Sequence, residues 1–555
     1  MLGQLKFYRG TFMTRIISIG WLLVLMVLIL ASAPTLDYFL NSPDMGYQLS
    51  LGSIMLAGKF PFVDMLQHYG PLVTFTSAAG QWVHSSVIPE VFICSFGYSL
   101  AIACIFYVIV RVGSAQQRWT ILTGLVFSFC AWFLLPQFYK WYYWCFPLLT
   151  LACCTHLLKN KNKLIVWRFI AGLVAGLGFL YRHDLGIVCL LTFTVILSTQ
   201  SRSELSNRNL SNKLAWVAGG FLLPVASWFL VLLVVGGPRS CWWYLSAIWD
   251  GTLGVTGHWR QPLPNWDWQN PVSNNSCRFQ IFAMMGLSYL SAIVVSAKVL
   301  LKNRQHVAAD TTLLLGSGIM GFAILPQALY RPDTQHILQV ITPLLIIAPL
   351  LVLRLLNPSQ EHAMPGKCFT KIALAMAYVS LLVFPFACLR TDFYGNLAPL
   401  GKDVIKRYHA LATGLDAAVP DNAVAAIARA VQRLTSRHQA ILVTPLQPQL
   451  YFWAKRPMGG LLNAYAGIFS KDIWRRRNLS AVQKEPPALV VADSSFVLGN
   501  SDVLMRRYNP ELYEWLKDRY PIIVEKFGNY IILSPCTENR VKISGDNQLT
   551  VVTVR

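Results

Sequence analysis

Residues Ser42–Leu72 read SPDMGYQLSLGSIMLAGKFPFVDMLQHYGPL and directly follow the first long apolar run of the chain, Ile16–Ser32. The stretch holds two aspartates, Asp44 and Asp64, and a histidine, His68. Carboxylates at this place need a reason, because the chain around them avoids acids. Only 11 Asp and Glu stand beside 26 Lys and Arg up to Arg390, whereas Thr391 onward holds 14 acids and 21 bases in 165 residues.

The whole chain of 555 residues is 55% hydrophobic and 13% charged. A soluble domain carries about 25% charged residues, so this is the composition of a membrane protein. The change in charge density divides the chain into a membrane part, 1–390, and a soluble-looking part, 391–555. The net charge of +22 has its natural use in holding loops on the cytoplasmic side. No basic face on a soluble module marks a nucleic-acid partner. The twelve cysteines show no CxxC and no metal-ligand spacing, and read mostly as small buried apolar residues. Cys241 and Cys277 flank one long loop and are placed to form a disulfide in an oxidising compartment. The basic N-terminal start and the run Ile16–Ser32, with no small-residue cleavage site after it, read as an uncleaved signal anchor.

A helix needs about 20 residues to cross a bilayer. Apolar segments of about that length fall near 16–36, 89–110, 119–136, 142–158, 164–181, 185–199, 214–237, 279–300, 311–330, 337–356 and 371–390, which predicts about 11 transmembrane helices. Connecting segments on one side carry 18 Lys and Arg and those on the other carry 7, counted outside the C-terminal part. That bias puts the N-terminus in the cytoplasm of an inner-membrane, multi-pass protein. With an odd number of spans, the C-terminal part lies outside. The first outer loop, about 37–88, then carries Asp44, Asp64 and His68. The same side receives RHDLG, with Arg182, His183 and Asp184, and RPDTQH, with Arg331, Asp333 and His336. Ionisable groups at membrane-span ends are costly unless paired or hydrated, so three such clusters on one face mark a candidate site.

Each cluster also has a plainer reading. Asp44 opens a helix that places Tyr47, Leu51, Ile54 and Met55 on one face, as in an interfacial helix, and Gly58 and Pro61 end it. There Asp44 serves as N-cap or as general base. Asp64 reads as a loop carboxylate or a second functional acid, and His68 as a loop hydrogen-bonder or a substrate ligand. Arg182 and Asp184, and again Arg331, Asp333 and His336, suit helix ends electrostatically. An arginine also grips a phosphate through its planar fork. The aromatic stretches QFYKWYYW (137–144) and CWWYLSAIWDGTLGVTGHWRQPLPNWDW (241–268) read as a membrane-interface belt or as a platform for a sugar or lipid headgroup.

The C-terminal part reads as α/β. ILVTP (441–445) and ALVVAD (488–493) are short buried strands. NPELYEWLKDRY (509–520) is a helix capped by Asn509 with Pro510 at its first position. PIIVEKFGNYIIL (521–533) is a hairpin around GN. RRR (475–477) reads as a solvated face. No phosphate loop or GxGxxG is present.

The stretch PDMGYQLSLGSIMLAGKFPFVDMLQHYGPL resembles the acidic first outer loop of GT-C class membrane glycosyltransferases, in the broad family-39-like group that uses polyprenyl-phosphate sugars. RHDLG and RPDTQH resemble that group's later outer-loop motifs. LVTPLQPQLYFWAKRPMGG, PPALVVAD, the following helix and the hairpin are similar to its soluble tail. The resemblance runs over nearly the whole chain. It implies an α-helical polytopic GT-C-like domain with a C-terminal α/β domain. It also implies transfer of a hexose or pentose from a polyprenyl-phosphate-linked sugar to an extracytoplasmic glycan, lipid or protein acceptor at the membrane lipid surface, with no nucleic acid involved. By the same resemblance Asp44 matches the first acid of the group's frequent Asp-Glu-Gly and is the base. The second acid is replaced by Met45, so Asp64 takes the place of a second carboxylate, and a paired-acid metal site at Asp44 is not implied. Arg182, Asp184, Arg331, Asp333, His336 and His68 are the implied donor-phosphate or substrate contacts. No cofactor and no metal is expected. The alternatives from other classes are a transporter or flippase of lipid-linked sugars, which places its charges mid-membrane rather than at span ends, and a non-catalytic subunit of an envelope assembly.

Overall fold

The computed structural model describes residues 2–67, 69–113, 117–133, 140–160, 164–201, 207–253, 263–270, 273–302, 308–330, 334–356, 403–419, 421–445, 447–462, 472–493 and 509–535. Its Cα positions group into two compact units: 1–33, 91–228 and 259–402 form the first, and 34–90, 229–258 and 403–555 form the second.

The first unit is helical. Among the described residues five helices are long and apolar enough to cross a membrane, with spans at Ile88–Val112, Leu164–Tyr181, Leu210–Asp250, Asn274–Lys302 and Ala309–Leu329. Shorter apolar helices cover Ile19–Ala31, Trp119–Trp132, His183–Thr199 and Leu344–Arg354. The protein is therefore a multi-pass membrane protein. The segment 371–390 lies outside the described residues.

The apolar run 337–356 is two helices, Thr334–Val340 and Leu344–Leu356. Pro343 stands at the break; it offers no backbone N–H and biases Thr342 away from the helical region. Helices Leu164–Tyr181 and Asn207–Leu253 cross at glycines. A Cβ added to Gly172 would fall on the carbonyl of Val217, and one added to Gly220 on the carbonyl of Phe169. Small residues let two backbones meet where lipid supplies no hydrophobic drive for helix association.

Helix Asn207–Leu253 is bent at Gly237, which takes φ 69° and ψ −175°. The stretch Leu210–Asp250 has 41 residues, about twice the roughly 20 that a helix needs to cross a bilayer. Only glycine takes such a backbone without strain.

The second unit carries the sheet. Strands β1 (Ile441–Thr444), β2 (Leu489–Asp493), β3 (Ile522–Phe527) and β4 (Tyr530–Ser534) lie in the order β1-β2-β4-β3. β1 and β2 are parallel, with Val443 opposite Val491. β4 runs antiparallel to both β2 and β3, and Gly528, at φ 55°, turns the β3–β4 hairpin. Both expected strands, the hairpin and the helix Pro510–Arg519 are present. Asn509 caps that helix, its side chain accepting from the N–H of Leu512 at 3.3 Å.

Helix Pro43–Leu56 belongs to this unit and is buried nearly all round from Met45 to Leu51. It packs on helices Pro71–Val83 and Gln449–Ala454. The expected one-sided interfacial helix is therefore corrected: Gln48, Leu49 and Ser50 are buried as fully as Tyr47 and Leu51, because partners cover both faces. The helix ends at Leu56, and Gly58 follows at φ 98°.

Candidate active site

The residue that caps helix Pro43–Leu56 is Ser42, not Asp44. The Ser42 hydroxyl accepts from the Met45 N–H at 3.2 Å, and Pro43 occupies the first helical position. Asp44 sits in the first turn, exposed to solvent. The helix already has its cap, so capping does not account for Asp44. It places a carboxylate at the positive end of a helix.

One turn further along the same face, Gln48 is buried and donates through Nε2 to Glu90 Oε1. Glu90 is itself 2% exposed. Sequence reasoning missed this acid, which sits inside an apolar segment and declares its partner only across 42 residues. Helix Pro71–Val83 is tied to the same helix by Gln81, which donates to the Leu49 carbonyl at 2.8 Å and accepts from Ser53 at 2.7 Å.

Asp64 lies in a tight turn held by Phe62 N–H to the Met65 carbonyl at 2.7 Å. Its carboxylate accepts from the Phe60 N–H at 3.1 Å and is exposed. Phe62 adopts φ 62°, unusual for a bulky residue, while its ring is fully buried against Tyr244 at 4.8 Å. Leu66 then hydrogen-bonds to the Leu461 carbonyl at 2.8 Å. Buried Gln67 fixes the next bend by donating to the carbonyls of Tyr69 and Gly70 at 3.1 and 3.0 Å. His68 lies outside the described residues. Beside Asp64, the Lys59 ammonium donates to the Gly460 carbonyl at 2.6 Å. Burial lowers the Lys59 pKa, against the opposing pull of Glu485 and Asp64.

Of the expected solvated face RRR (475–477), only Arg476 is exposed. Arg475 pairs with Asp472 and Glu511, and Arg476 with Asp472. Arg477 turns inward. Trp474, Arg477 and Asn478 share one face of helix Asp472–Lys484 at spacings of three and four, and that face is buried by Trp474 and Asn478. The Arg477 guanidinium lies 4.2 Å from the centre of the Trp243 ring and donates to the Val63 carbonyl at 3.3 Å. The Trp243 and Trp474 rings meet at 5.1 Å, and Trp474 Nε1 donates to Asp250 at 2.9 Å. The aromatic stretch from Cys241 is thus divided: Trp242 and Trp249 are exposed, and Trp243 and Tyr244 are buried. Cys241 is a thiol that donates to the Phe229 carbonyl at 3.6 Å, so the expected disulfide with Cys277 is not formed.

In the first unit Arg182 occupies the break between helices Leu164–Tyr181 and His183–Ser201. Its Nε reaches both oxygens of Asp184, at 2.9 and 3.1 Å. Asp184 also accepts from its neighbour's N–H, Leu185, at 2.9 Å and from Gln327 Nε2 at 2.5 Å. The guanidinium stands 4.7 Å from the centre of the Tyr143 ring. Gln327 therefore joins the RHDLG cluster, a partner 143 residues away that local sequence does not signal. Lys140, Trp141, Tyr142, Tyr143 and Trp144 are buried, and Tyr142 stacks on Tyr181 at 5.5 Å. These aromatics form a packed wall beside Arg182 rather than a lipid-facing belt. His336 is half-buried on helix Thr334–Val340. Arg331 and Asp333 lie outside the described residues. Among the described residues no three His, Cys, Asp or Glu side chains are grouped to hold a metal ion.

Consecutive apolar helices, an acid at the start of a helix after the first of them and an α/β unit carrying the C-terminal sheet define the architecture: the protein has the GT-C fold. The fold is shared with ArnT from Cupriavidus metallidurans, whose crystal structure is bound to undecaprenyl phosphate. The two overlay with a TM-score of 0.51 at 15% identity, over 94% of this chain and 97% of ArnT. The archaeal oligosaccharyltransferase AglB from Archaeoglobus fulgidus, in complex with an inhibitory peptide and a dolichol-phosphate, overlays with a TM-score of 0.49 at 12% identity, over 94% of this chain and 74% of AglB. No protein-family model and no curated protein sequence matches the chain.

Proposed function

We propose that the protein is a membrane glycosyltransferase that moves one sugar from a polyprenyl-phosphate donor to an extracytoplasmic acceptor. The observation that carries this reading is the GT-C fold over 94% of the chain, shared with a protein crystallised on undecaprenyl phosphate. The exposed Asp44 on an independently capped helix supports it further.

In the proposed reaction Asp44 takes the proton from the acceptor hydroxyl. The oxygen attacks the anomeric carbon once, with inversion, and the bond to the polyprenyl phosphate breaks. Arg331 and His336, with Arg182 held in orientation by Asp184, stabilise the departing phosphate. Asp64 orients the acceptor, and Asp333 and His68 contribute substrate contacts. The lipid phosphate is the leaving group, so the reaction requires no nucleotide-binding motif. The sugar is a hexose or pentose, and the acceptor a glycan, lipid or protein. The inner membrane, with the site and C-terminal part extracytoplasmic, is the orientation that the loop charges favour.

The test is sugar transfer by the purified protein from polyprenyl-phosphate-linked sugars, with release of polyprenyl phosphate as the second product. Donor consumption by wild type and its loss in Asp44→Asn are expected. Movement of intact donor across vesicles with no bond cleavage would assign the protein to transport instead.

A further inference from the structure

Past the bend at Gly237, Arg239, Trp243 and Asp250 fall on one face of the helix at spacings of four and seven. Trp474 and Arg477 face them from helix Asp472–Lys484. Trp243 receives two cations: the Arg477 guanidinium at 4.2 Å and the Arg239 guanidinium at 5.7 Å from its ring centre. Neither arginine forms a salt bridge among the described residues, although Arg475 and Arg476 of the same run both do. Two like charges over one ring repel each other. Burial, then Arg239, brings the Arg477 pKa down to about 10, against the pull of Asp64.

Arg477 Nη1 is buried with no hydrogen-bond partner. A buried donor without an acceptor is expensive, most of all on a charged group. An anion would satisfy it and relieve the repulsion together. Access is open, because Arg239 and Asp64 are both exposed.

We propose that Arg239 and Arg477, ranged on Trp243 beside Asp64, form an oxyanion subsite for a phosphate or carboxylate carried by the acceptor. A planar guanidinium binds either group through two parallel hydrogen bonds. Asp64 faces the same region and suits a sugar hydroxyl better than the anion itself. The acceptor is therefore an acidic saccharide or a phosphorylated glycolipid rather than a neutral glycan. The assignment to an acceptor rests on the transferase reading above; the binding of an oxyanion does not.

The experiment uses the full chain in nanodiscs of neutral lipid and measures binding of three probes: inorganic phosphate, a uronate-bearing oligosaccharide and a neutral oligosaccharide of equal length. Wild type is expected to bind at least one anionic probe and to bind the neutral one at least about tenfold more weakly. Arg239→Gln, a change at an exposed side chain, should weaken anion binding about ten- to hundredfold, and Arg477→Gln should do the same. Arg239→Lys should retain part of the affinity. Preference for phosphate identifies a phosphorylated acceptor and preference for the uronate an acidic sugar; both support the subsite. Equal binding of neutral and anionic probes overturns it. So does anion binding untouched by Arg239→Gln in protein whose melting temperature matches wild type. Anion binding of the expected pattern, in a protein that transfers no sugar, would remove the transferase reading and leave the subsite standing.

Discussion

Replacing Asp44 by Asn separates the chemistry of this residue from its structural service. The cap of helix Pro43–Leu56 is the Ser42 hydroxyl on the Met45 N–H at 3.2 Å, and the substitution leaves it in place. Within the helix the loss is that of a charge in the first turn, worth about 0.3–1 kcal/mol near a helix N-terminus, and exposure puts Asp44 at the lower end. General-base catalysis contributes about 10²–10⁴-fold, or about 2.7–5.4 kcal/mol of barrier at 1.36 kcal/mol per factor of ten. Loss of function should therefore exceed what loss of the helix-end charge can cause. Ser42→Ala is the converse control: it removes the cap, costing about 1 kcal/mol, and should leave turnover per folded molecule near wild type. The assay is transfer from a polyprenyl-phosphate sugar, normalised to folded protein in detergent, with melting temperatures measured in parallel. Near-normal transfer by Asp44→Asn would refute the assignment. A dead Asp64→Asn beside a working Asp44→Asn would move the base to Asp64; the expectation is a smaller loss at Asp64.

Four further outcomes are expected. Arg331→Lys should impair transfer at normal protein level, because a point charge lacks the planar fork; unchanged turnover would return Arg331 to a helix-end role. Gln327→Leu removes a hydrogen bond to the Asp184 carboxylate and should cost about 1.5–3 kcal/mol, read as a lowered melting temperature in detergent. Gly172→Leu drives a side chain onto the Val217 carbonyl and should destabilise by about 1–3 kcal/mol or more, visible as reduced yield of monodisperse protein. Burial lowers the Lys59 pKa, so the unfolded chain binds that proton more tightly than the folded one. The Lys59 contribution to stability should therefore rise as pH climbs from the lowered folded value through the ordinary lysine range. Denaturation midpoints across that range should lose this slope in Lys59→Gln.

Local signals carried much of the fold. Apolar runs of spanning length marked the helices at 89–110, 164–181, 279–300 and 311–330, and β-branched runs marked β1 and β2. Asn509-Pro510 and the GN turn marked the helix and hairpin that complete the sheet. What could not be read was set by distant partners. Nothing near Pro43–Leu56 says that helices from 71–83 and 449–454 cover both its faces, so periodicity suggested a one-sided helix. Glu90 looks like a lone acid at the end of a span until Gln48 is placed against it. Arg477 looks like its neighbours in RRR. The signal that distinguishes it was available: Trp474, Arg477 and Asn478 share a helical face, and a tryptophan with an asparagine on a face predicts burial. The break at 341–343 was also signalled, by Pro343. For the site, the sequence marked Arg182 and Asp184, whose ion pair is present, but not Gln327, which completes it. Ser42, a good capping residue directly before Pro43, was a legible cap signal for this helix.

The central claim is that this chain attaches a sugar outside the cytoplasm. Its most direct test is mass spectrometry of cell-surface glycans from cells making wild-type protein, equal amounts of Asp44→Asn, or none. The account predicts a glycan or glycolipid species heavier by one hexose or pentose in the wild-type cells alone, with the matching polyprenyl-phosphate sugar accumulating in the other two. Identical surface species in all three, with both proteins abundant in the membrane, would contradict it.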